Sequence, residues 1–216
     1  MRFLYDFADV NLVEGELQLG LKKTKFQISG YRDPLGDLTS QVLYLIEHYG
    51  KKKEVYVSKL NRFLLENDNV AEVTWAGESR GHRWFLELND DLTIRIRFET
   101  YKDYFYPETI EDKKTVQTVL PLKDFVAVLL GTLDELLNRY GFIGYKSYWA
   151  EYEFPISNYL LLKQFLQSDA SLTKMEEMLE QLTHEANIKV STLAEDVEIM
   201  NQAVDSQWVG ESLEDC

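Results

Sequence analysis

Trp84-Phe85-Leu86-Glu87-Leu88-Asn89-Asp90-Asp91-Leu92-Thr93-Ile94-Arg95-Ile96-Arg97-Phe98 decides the fold class of this chain. Successive side chains of a strand alternate sides, so Trp84, Leu86 and Leu88 share one face. The Asn-Asp-Asp run supplies a turn, and Leu92, Ile94, Ile96 and Phe98 continue that face beyond it. Arg95 and Arg97 point to the other side. Antiparallel pairing with one covered face is the simplest account.

The same alternation recurs on either side of the hairpin. Phe3, Tyr5 and Phe7 alternate with Leu4, Asp6 and Ala8. Glu16-Leu17-Gln18-Leu19, Lys25-Phe26-Gln27-Ile28 and the Val73–Trp75 stretch read as further half-buried strands. Between them the period changes. Arg32-Asp33-Pro34-Leu35-Gly36 reads as a turn and Asp37 as a helix N-cap. Leu38, Val42, Leu45, Ile46 and Tyr49 then form one helical face, with Gly50 placed to end it. A weaker helical pattern runs through Val57, Leu60 and Leu64. A second strong helix starts around Pro121 and carries Phe125, Leu129, Leu133, Leu136, Leu137 and Tyr140, with Gly141 able to stop it. Pro155 opens a shorter one through Leu162 and Phe165. Strands followed by helices predict an α+β domain over residues 1–167. Its expected form is an antiparallel sheet of about six strands, packed by helices on one face.

Residues 168–216 read as an acidic helical C-terminal extension. Leu172, Met175, Met178, Leu179 and Leu182 make one amphipathic stripe, and Leu193, Val197, Met200 and Val204 another. Such stripes suit packing on the main domain, on a second copy or on another protein.

Charge narrows the function classes. The chain has 37 acidic and 23 basic side chains in 216 residues, a formal net charge of -14. That balance argues against nucleic acid and anionic membrane as partners, and mildly for a cationic one. Cys216 is the single cysteine, so no intramolecular disulfide forms. The acid at Asp6 comes too early for a secretion signal, and the apolar runs are too short to span a bilayer, so a cytoplasmic location is expected.

No cofactor motif is present. Gly77, Gly81, Gly141 and Gly144 stand alone, in neither the dinucleotide nor the phosphate-loop pattern. Glu176, Glu177, Glu180 and His184 have metal-ligand spacing, but that spacing is common on solvated helices, and no metal site is assigned. Glu78, Arg80, His82 and Arg83 read as a charged connection before Trp84, with His82 as a general base the competing reading. His48 closes a helix, where a cation suits the dipole. Asp33 and Asp37 flank a turn and suit either acid–base work or local capping. Tyr101-Lys102-Asp103-Tyr104-Phe105-Tyr106 is dense in aromatics and followed by Pro107. Tyrosine joins a large contact area to a polar tip, which suits an interface. Asp33, Asp37, Glu78, Tyr101, Asp103, Tyr104 and Tyr106 are therefore the candidate partner-binding residues, and no catalytic set is assigned.

Several stretches together resemble a family of bacterial proteins of unknown function, common in actinobacteria and also seen in Firmicutes. They are Tyr31-Arg32-Asp33-Pro34-Leu35-Gly36-Asp37-Leu38, Val73-Thr74-Trp75 with Glu78, Arg83-Trp84-Phe85-Leu86, and Gly144-Tyr145-Lys146-Ser147-Tyr148-Trp149 running into Phe154-Pro155. The similarity covers residues 1–167. Lys51 to Asn67 looks like an insertion, and the acidic extension lies beyond it. The resemblance implies a non-enzymatic immunity role beside secreted toxins, and it transfers no active site. A basic protein, such as a toxin, is the expected partner. Homodimerisation in a structural or assembly role is the alternative, and an enzyme with an unrecognised carboxylate site ranks last.

Overall fold

The computed structural model describes residues 1–30, 33–49, 69–77, 80–102, 113–149, 152–167, 197–198 and 201. Strands β1 (Arg2–Asp9), β2 (Leu12–Leu19) and β3 (Lys22–Ser29) form an antiparallel sheet in the order β1-β2-β3. Their alternation sends Phe3, Tyr5, Phe7, Val13, Leu17, Leu19, Phe26 and Ile28 inward, all buried. Each hairpin turns on a residue at positive φ, Asn11 at 57° and Gly20 at 59°. These are among the residue types that tolerate the left-handed region.

Helix α1 (Pro34–His48) follows. Leu38, Val42, Leu45 and Ile46 are buried as their spacing requires, and Leu35 joins them. The cap is Asp33, not Asp37. Pro34 takes the first helical position, where its missing N–H costs nothing, so the cap falls one residue before it. Asp37 lies inside the first turn, where an acidic side chain suits the dipole. His48 does sit in the last turn, stacked on Tyr44 at 4.1 Å. Tyr49 ends the helix, and Gly50 lies outside the described residues.

Strands β4 (Val70–Ala76), β5 (Gly81–Leu88), β6 (Thr93–Tyr101) and β7 (Lys114–Pro121) form a second antiparallel sheet in chain order. The register pairs Trp84 with Phe98, Leu86 with Ile96 and Leu88 with Ile94, as the hairpin pattern predicts. The described residues thus hold seven strands in two sheets, not one sheet of about six. The seventh is β7. Its Val116 and Val119 fall on opposite faces, so the two-residue period is broken although the Thr/Val content suits a strand.

Helix α2 (Leu122–Tyr148) leaves β7 directly, with Leu122 N–H donating to Leu92 O at 2.9 Å. Gly141, at φ 62° and ψ −175°, interrupts it where the sequence places a stop. The aromatic stretch from Tyr145 is helical up to Tyr148. Helix α3 (Ile156–Gln167) follows Pro155, with Tyr159, Leu162 and Phe165 buried.

Helix α1 packs against β4, α2 against β1, and α3 against both helices. The inner faces of the two sheets and the helices share one hydrophobic core. Its centre is aromatic, with Trp84 5.7 Å from Phe3 and 4.8 Å from Phe98, and Phe26 5.5 Å from Trp75. The α+β class holds. Of the acidic extension only residues 197–198 and 201 are described, and they are helical; the rest of 168–216 lies outside the described residues, as does 51–67. Among the described residues no helix is long and apolar enough to cross a membrane.

Candidate functional site at the start of helix α1

The Asp33-Pro34-Leu35-Gly36 motif is a helix-starting device tied into two other elements. The Asp33 carboxylate accepts from Gly36 N–H at 2.9 Å, and Asp33 O accepts from Asp37 N–H at 2.8 Å. A Cβ at Gly36 would lie 1.9 Å from Asp33 Oδ2, so a larger residue there must displace the capping carboxylate. Trp75 Nε1–H on β4 donates to Pro34 O at 3.1 Å. The buried Thr39 hydroxyl donates to Leu35 O at 2.7 Å. From α3, the Asn158 amide donates to Thr39 Oγ1 at 3.0 Å and to Ser40 Oγ at 2.9 Å.

This packing leaves Asp33 half-buried. Burial pushes its carboxyl up to about 6, the Gly36 N–H pulls back, and Asp37 adds to the rise. Two phenols face the same charge. Tyr5 on β1 and Tyr145 on α2 both hold their protons above the usual tyrosine range, through burial first and then through the Asp33 charge, with Tyr145 also acting on Tyr5.

The other candidate residues scatter. Tyr101 ends β6 and pairs with Gly81 across the ladder. It is only 2% exposed, and its ring occupies the space a Gly81 Cβ would need, at 2.3 Å. Its side chain packs; it does not offer a contact surface. The Arg83 guanidinium lies 5.9 Å from its ring centre. Register carries Trp75 to His82 and His82 to Thr100, so Asp33 and Tyr101 come to the same end of the four-stranded sheet. They lie on opposite faces of it. Glu78, Asp103, Tyr104 and Tyr106 lie outside the described residues, as do Glu176, Glu177, Glu180 and His184. Among the described residues no three or more His, Cys, Asp or Glu side chains are placed to hold a metal ion.

Two features escaped the sequence reading. His82 belongs neither to a charged connection nor to a solvent-facing base. It is an inward residue of β5, fully buried and stacked on Phe98 at 5.6 Å. Its ring joins the sheets, with Nε2 3.1 Å from Gln27 O and Nδ1 3.2 Å from Thr100 Oγ1. Burial pushes it down to about 4, the Gln27 carbonyl opposes, and Arg80 assists. The signal was its parity with Trp84, Leu86 and Leu88. The second feature is a buried triad between α2 and α3. Asp134 accepts from Tyr159 Oη–H and from Lys163 Nζ, both at 2.6 Å.

The charge is also unevenly divided. The described residues hold 17 acidic and 15 basic side chains of the 37 and 23 in the chain, which leaves 20 and 8 elsewhere. Residues 168–216 alone hold 12 acidic and 2 basic side chains.

No protein-family model matches the chain, and no curated protein is significantly similar to it. The resemblance to the bacterial family rests on its short motifs alone.

Proposed function

We propose that this is a non-enzymatic protein-binding module of the cell interior, whose acidic C-terminal stretch recognises a basic partner. The observation that carries this reading is the division of charge. Acid that only serves solubility has no reason to gather in one stretch of the chain, whereas a segment that steers a cationic partner does, and residues 168–216 hold 12 of the 37 acidic side chains against 2 of the 23 basic ones. The segment 103–112 adds Asp103, Glu108, Glu111 and Asp112 to Tyr104 and Tyr106, which joins charge to aromatic contact area. The described carboxylates support the same reading. Asp33 caps a helix, Asp134 anchors Tyr159 and Lys163, and Glu99 pairs with Arg97 and Lys113. The motif resemblance favours an immunity protein that neutralises a cationic toxin.

The test is a pull-down from native cells with the full chain. It is compared with a full-length variant carrying Glu176, Glu177, Glu180 and Glu185 as glutamine. The expected result is one basic protein recovered at low salt, lost at high salt and depleted with the variant, because exposed charge pairs are screened beyond about 8–10 Å. Equal recovery with the variant would remove the acidic extension from the reading. Recovery of the chain alone would favour the homo-oligomer.

A further inference from the structure

Two open sheets have four edge strands, and three of them are guarded. Strand β1 lies under α2, whose Thr132 hydroxyl donates to Phe3 O at 2.8 Å. Strand β3 carries Lys22, Lys23 and Lys25, and edge lysines discourage pairing with another chain. Strand β4 lies against α1 and carries Glu72. Strand β7 differs. It ends the four-stranded sheet, with β6 as its one ladder partner among the described residues. Its register against β6 runs without a bulge from Lys114 to Pro121. From Thr115 to Leu120 it holds no charge and no proline, and its Thr/Val content suits a strand. Thr115, Gln117 and Val119 are exposed on the outer face, Val119 at 52%. A long, flat, uncharged edge of this kind is a template for another strand.

We propose that β7 is a self-association edge, where a second copy of this chain adds its own β7 antiparallel and joins two four-stranded sheets into one. Charge selects this occupant. Lys113 and Lys114 stand at the start of β7. At its far end Pro121 pairs with Thr93, which follows the Asp90-Asp91 turn. The edge is therefore basic at one end and acidic at the other. A two-fold axis through the middle of the strand sets each copy's basic end beside its partner's acidic end, twice over. Pairing of β7 with the lysine-bearing β3 of another copy would bring like charges together. The two-fold pairing also closes on itself, whereas β7 against a different edge would propagate into open chains. This inference does not rest on the acidic C-terminal stretch, which lies elsewhere in the sequence.

The experiment is sedimentation equilibrium on the full chain and on the double variant Gln117→Lys, Val119→Lys. Both side chains are exposed, so circular dichroism should show the variant folded. The expected result is a concentration-dependent monomer–dimer equilibrium for the original chain, weakened about tenfold or more in the variant, because the new lysines face their copies across the axis. A chain that stays monomeric at every concentration overturns the proposal, as does a dimer that the two lysines leave intact. A second measurement places the contact without adding charge. A nitroxide label is attached at Gln117→Cys in a Cys216→Ser chain. Near the middle of a self-paired β7 the two labelled Cα atoms lie within about 10 Å of each other. Strong dipolar broadening that disappears on dilution with unlabelled chain supports the edge. A dimer whose labels show no broadening overturns it and moves the interface elsewhere.

Discussion

Asp134 and Asp33 are two carboxylates drawn into the same core, and they are handled in opposite ways. Asp134, 8% exposed, is met by a cation and a hydroxyl, Lys163 and Tyr159, from the next helix. Asp33 accepts from one backbone N–H, that of Gly36, and burial drives its carboxyl up to about 6. The first arrangement is closed. Every lone pair that matters is used, and the ammonium and the carboxylate justify each other's burial. The second is held by backbone geometry, and among the described residues its one donor is the Gly36 N–H. Closed networks fix one helix to another, and open ones leave chemistry available. That contrast places the candidate site at α1 and not between α2 and α3.

The largest expected effect lies at the closed network. Asp134→Ala strands the Lys163 ammonium, whose side chain is 13% exposed, and the Tyr159 hydroxyl. Removing one partner of a buried ion pair typically costs about 3–5 kcal/mol. Urea denaturation should show a loss of that size, with α3 detaching first in hydrogen exchange. A double change of Asp134 and Lys163 to apolar residues should recover much of it, since no unpaired charge then remains. A loss under about 1 kcal/mol for Asp134→Ala would mean that the pair is solvated, in the manner of surface ion pairs.

The next effect sharpens the comparison through pH. Asp33 has a raised folded value, about 6 against 3.8. The folded state therefore holds the proton more tightly, and its contribution is full below 3.8 and is lost as pH rises through about 6. His82 has a lowered folded value, about 4 against 6.5. Its contribution is full above 6.5 and is lost as pH falls through about 4. Full burial makes the His82 contribution worth about 3 kcal/mol, and the partly exposed Asp33 about 2 kcal/mol. Over the shared window the slopes oppose, so stability should change little between pH 4 and 6. Asp33→Asn keeps a good cap and should expose the histidine slope, with stability rising with pH. His82→Gln should expose the opposite slope. Parallel pH profiles for all three proteins would sink the account.

How much of this was legible follows from how local each signal is. The Trp84–Phe98 hairpin was readable to its register, because its inward positions are uniformly apolar and a slip by one would expose all of them. The α1 face and the break at Gly141 were readable for the same reason. Strand β7 was not, since Val116 and Val119 blur its alternation. The division into two sheets was not, since nothing in the strands between Lys22 and Ala76 reports that β3 and β4 stop sharing a ladder. Asp33 as the cap was legible through Pro34, but Asp37, one turn later, matches the same preference.

The smallest expected effect tests whether the cap itself, and not the burial around it, holds the open network in place. Measured at pH 4, where the folded Asp33 carboxyl holds its proton and buries no charge, Asp33→Ala removes the acceptor for Gly36 N–H and should cost about 1 kcal/mol, whereas Asp33→Asn should lie within a few tenths of the original chain. Gly36→Ala attacks the same contact from the other side, because its Cβ collides with Asp33 Oδ2. If the carboxylate swings away to admit the methyl, the Gly36→Ala loss should match that of Asp33→Ala. The double variant should then be no worse than either single one, since the clash disappears with the carboxylate. Additive losses in urea denaturation would show that Gly36 matters for backbone freedom alone, and that the cap and the glycine of this motif act independently.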